Sequence, residues 1–93
     1  MENKVWLVVR ERHTEDNDSF VVLGIYDNFG DSLERINEEY FETEEDYIEE
    51  WGENFVGENH NNGFAEFHVD DAWDETRIRA IDFEINKPTF EEI

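Results

Sequence analysis

The sequence has no cysteine, so disulfide bonds, thiolate metal sites and thiol nucleophiles have no part in its structure or function. Its longest apolar run, Val5 to Val9, covers only five residues. A run of that length is too short for the core of a signal peptide or for a membrane span. We therefore expect a cytoplasmic protein without a membrane segment.

Basic residues are also scarce. Seven Lys and Arg residues stand against 27 Asp and Glu, and the net charge is −20, far outside the range of about 2 to 8 that is usual for a small domain. Such a chain repels nucleic acids and anionic membranes, which excludes both as direct partners. Its natural partners are metal ions, basic proteins or the basic clefts that hold DNA or RNA. Because self-repulsion on this scale costs stability, the charge is either selected for a task or tolerated in high salt.

Motifs for catalysis are absent as well. There is no glycine-rich phosphate loop, and neither Ser19 nor Ser32 lies in a nucleophile-elbow pattern. A chain of 93 residues leaves little room for a substrate cleft. We therefore expect a protein that is not an enzyme and needs no cofactor. Two acids that converge for glycoside hydrolysis stay open as an alternative.

Patterns for a specific metal site are weak. Residues 16–18 (DND) resemble the start of a calcium-binding loop, but apolar residues follow at positions 20 and 21. Residues 70–75 offer oxygen ligands without the glycine of such a loop. The three histidines are too dispersed for a zinc site, which needs three or four convergent ligands. We expect no specific metal site, and loose binding of divalent cations is compatible with the composition.

The apolar pattern predicts one α+β domain that spans residues 1–93. Strands are predicted at 4–13, 19–26, 63–69 and 76–86, and the first two form a hairpin around the polar turn 14–18. In the last strand the alternation slips, which predicts a bulge near Ala80. The order ββααββ predicts an antiparallel four-stranded sheet with two helices on one face.

Two helices are predicted between the hairpins. The first begins at Asp27 or Asn28 as the cap, and its apolar residues follow at helical spacing: Phe29, Leu33, Ile36 and Tyr40. A second helix is predicted from Thr43, because Thr43 and Asp46 resemble a capping box. Its apolar stripe consists of Tyr47, Ile48, Trp51 and Phe55. Gly52 either ends this helix or is tolerated inside it.

The most unusual stretch is residues 38–53, EEYFETEEDYIEEWGE. Nine of its sixteen residues are carboxylates and none is Lys, Arg or His. Aromatic residues are interspersed among the acids, unlike in disordered acidic segments. Residues three or four apart are neighbours on a helix, so Glu38, Glu42, Glu45, Glu49 and Glu53 can form one stripe, flanked by Asp46 and Glu50. These seven acids are the predicted partner-binding residues, together with Trp73, a predicted exposed aromatic in an acidic loop.

A row of helical carboxylates resembles a row of DNA phosphates, since both present charged acceptors to Arg and Lys. In size, charge and acidic helices the chain resembles the small acidic phage-encoded proteins that mimic DNA and inhibit DNA-binding proteins. The resemblance covers the chain as a class and rests on no shared motif. It implies an anti-defence or host-takeover inhibitor in the host cytoplasm. Its partner would be a basic DNA-binding protein of the host, such as a nucleoid protein, a restriction enzyme or a CRISPR nuclease.

Two other functions are compatible with the composition. The protein can be adapted to high salt, or it can be a small interaction module that binds through Trp73 or a sheet edge, with acidity incidental. A homodimer through an edge strand is compatible with all three functions.

Overall fold

The computed structural model describes residues 4–70 and 72–84. In chain order the elements are β1 (Lys4–Thr14), β2 (Asp18–Tyr26), α1 (Phe29–Trp51), β3 (Phe55–Asn59), β4 (Phe64–Val69) and β5 (Asp74–Glu84). The strands form one antiparallel sheet in the order β2-β1-β5-β4-β3. The single helix packs on one face of this sheet. The prediction of a four-stranded sheet with two helices is therefore wrong, since the sheet has five strands and one helix packs on it. The predicted hairpin of the first two strands is present.

One continuous helix replaces the two that the sequence predicted. Asn28 caps it by accepting a hydrogen bond from the backbone N–H of Asp31 at 2.8 Å, and Gly52 ends it with φ 64°. Between them no proline interrupts the chain, and Thr43, the predicted cap of a second helix, is buried mid-helix. The buried face runs on without a break through Ser32, Ile36, Glu39, Thr43 and Tyr47. The predicted division at Thr43 is therefore wrong: it rested on the resemblance of Thr43 and Asp46 to a capping box, while the buried face continues through polar residues that apolar spacing does not reveal.

A fifth strand, β3, follows the helix where the prediction extended helix two to Phe55. Gly52 turns the chain, and Phe55–Asn59 then pairs with β4. The strand is short and carries Gly57 at its centre, so its alternation is faint in the sequence. A Cβ on Gly57 would lie 2.6 Å from the ring of Phe67, so only glycine allows this ring to lie against β3.

The predicted bulge near Ala80 is also wrong. β5 pairs with β1 in unbroken register from Lys4↔Glu84 to Thr14↔Asp74. Near Ala80 both faces of β5 are apolar: Ala80 packs towards the helix, and Ile81 and Phe83 lie on the opposite face. The slip in alternation therefore reflects two apolar faces and not a bulge. The irregularity is in the pairing of β1 with β2, between Val8 and Val9. The last two residues of the predicted strand, 85 and 86, lie outside the described residues.

The core lies between α1 and the sheet. Its centre is a group of aromatic rings in which Phe67 of β4 stacks on Tyr47 and Tyr40 of α1, at centroid distances of 5.0 and 4.8 Å. Val8 and Ile78 complete the buried sheet side. The described chain holds no helix with the length and apolarity that a membrane crossing requires.

Candidate partner-binding surface

The outward side of α1 carries its carboxylates in one line. Six exposed acids, here called the acidic stripe, follow each other at steps of three or four residues: Asp31, Glu34, Glu38, Glu42, Glu45 and Glu49. At 3.6 residues per turn they lie within roughly 80° of arc on the side away from the sheet. At 1.5 Å per residue the stripe extends about 27 Å. Asp31 and Glu34 extend the predicted stripe towards the N-terminus.

The predicted site residues are all exposed but do not all lie on this line. Glu38, Glu42, Glu45 and Glu49 lie on the stripe. Asp46 and Glu50 lie further round the helix towards β1 and β2, where Glu50 accepts a hydrogen bond from Arg12 at 3.2 Å. Glu53 follows Gly52, which ends the helix, so it is outside the helical row.

Trp73 is 65% exposed in the connection between β4 and β5. It lines one groove with the β1–β2 turn, residues 14–18, and another with residues on either side of it, from His68 to Glu75. None of the stripe carboxylates lines either groove. The structure therefore does not join Trp73 to the acidic stripe in one site.

Two apolar side chains border the stripe instead. Phe41 is 62% exposed and Ile48 is 54% exposed, and their seven-residue separation places both on the same side of α1. Large apolar side chains that stay exposed on a charged surface are typical of interface anchors. The sequence showed only that aromatic and aliphatic residues occur among the acids, not which of them point outward.

Arg10 and Arg12, the arginines of β1 that face the helix, form salt bridges with buried acids. Glu39 is only 2% exposed, and it lies between Arg10 of β1, which donates to its Oε2, and Arg35, whose Nη2 is 3.2 Å from Oε1. Burying a carboxylate requires such partners. The only basic residue in α1 is therefore directed at a buried acid. Among the described residues, Glu38 is the one stripe acid in an ion pair, a long contact of 3.7 Å with Arg35.

A second buried carboxylate, Asp74, accepts hydrogen bonds from side chains at the C-terminal end of the helix. Arg12 donates to both of its oxygens, from Nε at 3.0 Å and Nη2 at 2.7 Å. The Tyr47 hydroxyl donates at 2.8 Å and the Trp51 indole N–H at 3.0 Å. Burial by itself would raise the pKa of Asp74, but these hydrogen bonds from Arg12, Tyr47 and Trp51 outweigh it and hold the pKa below its ordinary value.

Two partners of Asp74, Arg12 and Tyr47, also have shifted pKa values. Its hydrogen bond raises the pKa of Arg12, which stays charged although burial opposes this. Burial raises the pKa of the Tyr47 phenol well above its ordinary value of 10.0. Glu39 and Asp74 were not singled out as structural acids in the sequence. The available signal was the spacing of Arg10 and Arg12, two apart on one face of an apolar strand, which requires buried acids opposite them.

One group of side chains in the described residues has the composition of a metal site. Glu58, His60 and Glu66 approach one another at the β3–β4 hairpin. Each imidazole nitrogen faces a different carboxylate, with Nε2 2.8 Å from Glu66 and Nδ1 3.8 Å from Glu58. This arrangement is that of a histidine ring that lies between two carboxylates. Its ligand types suit a divalent cation at an exposed position.

Comparison of the chain with protein-family models, with curated protein sequences and with solved structures finds no match.

Proposed function

We propose that this protein is an inhibitor that mimics DNA. The observation that carries the proposal is the acidic stripe, which is one straight row on one helix and almost free of basic partners. The six stripe carboxylates extend over about 27 Å, or roughly one per 5 Å. One strand of B-DNA carries one phosphate per about 3.4 Å of axis. The linear charge density of the stripe is therefore about two thirds that of one DNA strand, and Asp46 and Glu50 add exposed charge on the side towards β1 and β2.

The proposed partner is a basic DNA-binding protein of the host, such as a nucleoid protein, a restriction enzyme or a CRISPR nuclease, and the proposed location is the host cytoplasm. Lys and Arg side chains that pair with phosphates would pair with the stripe carboxylates, which are acceptors of the same charge sign. Phe41 and Ile48 would supply apolar contacts that a phosphate row lacks. The charges then steer rapid association and the apolar contacts select one target.

The test is capture of proteins from a bacterial lysate on tagged protein at low salt, with elution by duplex DNA and, separately, by rising salt. We expect a DNA-binding protein that both treatments release. Capture of a partner that neither DNA nor salt releases would contradict mimicry, as would capture of no partner.

Two matched variants test the site. Glu45→Lys/Glu49→Lys reverses two stripe charges, while Glu58→Lys/Glu84→Lys reverses two exposed charges on strands and has the same net charge. We expect the stripe variant to lose most of its affinity for the captured partner and the strand variant to keep it. Equal losses would show that net charge matters but the stripe does not.

A second candidate function is an interaction module that binds through Trp73, and the exposure of this indole favours it. Trp73→Ser separates the two functions. If binding is through Trp73, this variant abolishes it and raised salt does not. If binding is through the stripe, raised salt abolishes it and the variant binds as strongly as the natural chain.

A further inference from the structure

The sheet face opposite α1 is apolar over the half formed by β2, β1 and β5. We call this region the apolar face; its accessible residues are Val5, Leu7, Phe20, Val22, Ile25, Ile81 and Phe83. The register places them side by side, with Leu7 between Ile25 and Ile81. Phe20, Val22, Ile25 and Phe83 are each about half or more exposed. No described element covers them, because α1 packs on the other face.

Among residues 4–70 and 72–84, this face also carries no unpaired charge. The charged residues at its border, Glu11 and Arg79, lie 2.8 Å apart and neutralise each other. Elsewhere the described surface carries most of a net charge of −20. A large uncharged, apolar region on so acidic a protein is costly to leave in water and marks a contact surface.

The size of the apolar face fits a small protein interface. At about 4.8 Å per strand and 3.3 Å per residue, the three strands β2, β1 and β5 project roughly 400–500 Å². An interface that buries about this area on each partner lies at the low end of the size range, which is typical of weak, reversible association. Packing of one sheet on another also matches the way in which natural sheets cover their apolar faces.

We propose that the occupant of the apolar face is a second copy of this chain, in a two-fold symmetric dimer. A partner for this surface must itself be apolar and uncharged, and the same face of another copy meets that requirement by symmetry. The packing also keeps like charges apart. Two facing sheets lie about 10 Å apart, and each acidic stripe lies on the far side of its own sheet, beyond the Debye length of about 8 Å at physiological salt.

Contact between copies through α1 would instead bring two acidic stripes together. The charge distribution therefore selects the sheet face for self-association. The dimer would display one acidic stripe on each outer side. This inference does not depend on DNA mimicry, because it uses only the apolar face and the charge of the remaining surface.

The test is sedimentation velocity and light scattering of the full chain over a range of concentrations. Val22→Lys/Phe83→Lys places two charges on the apolar face, and the matched control Phe41→Lys/Ile48→Lys places two on exposed apolar positions of α1. We expect a dimer for the natural chain and the control. For the face variant we expect a dissociation constant at least about 100-fold higher. Lysines lower the negative charge of the chain, so general repulsion does not explain such a loss.

A monomeric natural chain would overturn the proposal. So would a dimer that persists in the face variant, since pairing of exposed strand edges leaves these side chains outside the contact. Circular dichroism and thermal unfolding check that each variant is folded. Ile25→Ser is a milder change at a side chain that is 66% exposed, and we expect it to weaken the dimer in the same direction.

Discussion

Arg12 of β1 donates hydrogen bonds to both carboxylate oxygens of Asp74, the first residue of β5. The same carboxylate accepts hydrogen bonds from Tyr47 and Trp51, which lie in the last turns of α1. One buried acid therefore joins two central strands to the helix that carries the acidic stripe. The buried carboxylates Glu39 and Asp74 both pair with arginines of β1, and these contacts fix which side of α1 faces the sheet.

Asp74→Asn tests this clamp. The variant keeps the shape of the side chain but leaves Arg12 without its main counter-charge, so we expect it to lower the free energy of unfolding by about 2–4 kcal/mol. The loss depends on pH, because the folded pKa of Asp74 is lowered. Its contribution is present above the ordinary pKa of 3.8 and is lost as pH falls through the folded value. Urea unfolding at neutral pH and below that value measures both effects.

The control is Asp82→Asn, in the same strand. Asp82 forms an exposed ion pair with Lys4 at 3.3 Å, and we expect a cost of less than about 1 kcal/mol. Equal costs for the two variants would show that the Arg12–Asp74 pair is energetically an ordinary surface pair.

Tyr47→Phe tests the alkaline side of the stability curve. The variant loses the hydroxyl that bonds Asp74 at 2.8 Å and Thr76 at 2.7 Å, at a cost of about 1–2 kcal/mol near neutral pH. Because burial raises the folded pKa of Tyr47, its contribution is complete below the ordinary value of 10.0 and is lost as pH rises through the folded value. Thermal unfolding against pH should therefore show the two proteins converging in strong alkali. A constant difference would contradict this assignment.

Glu39→Ala tests the second buried acid. Removal of this carboxylate leaves Arg10 facing the helix without a partner, and we expect a loss of about 2–4 kcal/mol in unfolding free energy. The double variant Arg10→Met/Glu39→Leu removes both charges, and we expect most of the loss to be recovered. A double variant as unstable as Glu39→Ala, measured by urea unfolding, would show that Arg10 is not the source of the cost.

Glu45→Lys tests the cost of the stripe itself. Glu45 lies three residues after Glu42 and four before Glu49, so the change replaces two repulsive neighbours by two attractive ones. We expect the free energy of unfolding to rise by about 1 kcal/mol, more at low salt than at high salt. Under the proposed function the same variant binds its partner less well. A variant that is less stable at low salt would show that the stripe charges do not repel one another.

Local signals predicted the parts of the fold that depend on neighbours in sequence. The first hairpin and a helix cap at Asp27 or Asn28 follow from alternation and from capping residues, and the structure has the hairpin and places the cap at Asn28. The single helix did not follow, because Thr43 and Asp46 resembled a capping box and divided it. Glu39 is buried because β1 supplies Arg10 from a distant part of the sequence, and spacing within α1 carries no information about that contact.

The candidate surface also has parts that follow from local spacing and parts that depend on tertiary contacts. The line of Glu38, Glu42, Glu45 and Glu49 follows from helical spacing alone, so the sequence was sufficient to place it. Glu50 was grouped with these acids, yet it reaches Arg12 on the neighbouring strand. Glu53 was included because the end of the helix at Gly52 was left open. The exposed positions of Phe41 and Ile48 depend on which side of α1 meets the sheet, which only the tertiary packing decides.

The outward and inward positions of α1 alternate along one chain, and in the described residues the acidic stripe meets the buried pairs only through Arg35, which contacts both Glu38 and Glu39. Substitutions at the other stripe positions therefore leave the buried pairs around Glu39 and Asp74 in place. The charge pattern of the helix can therefore change one residue at a time without loss of the fold.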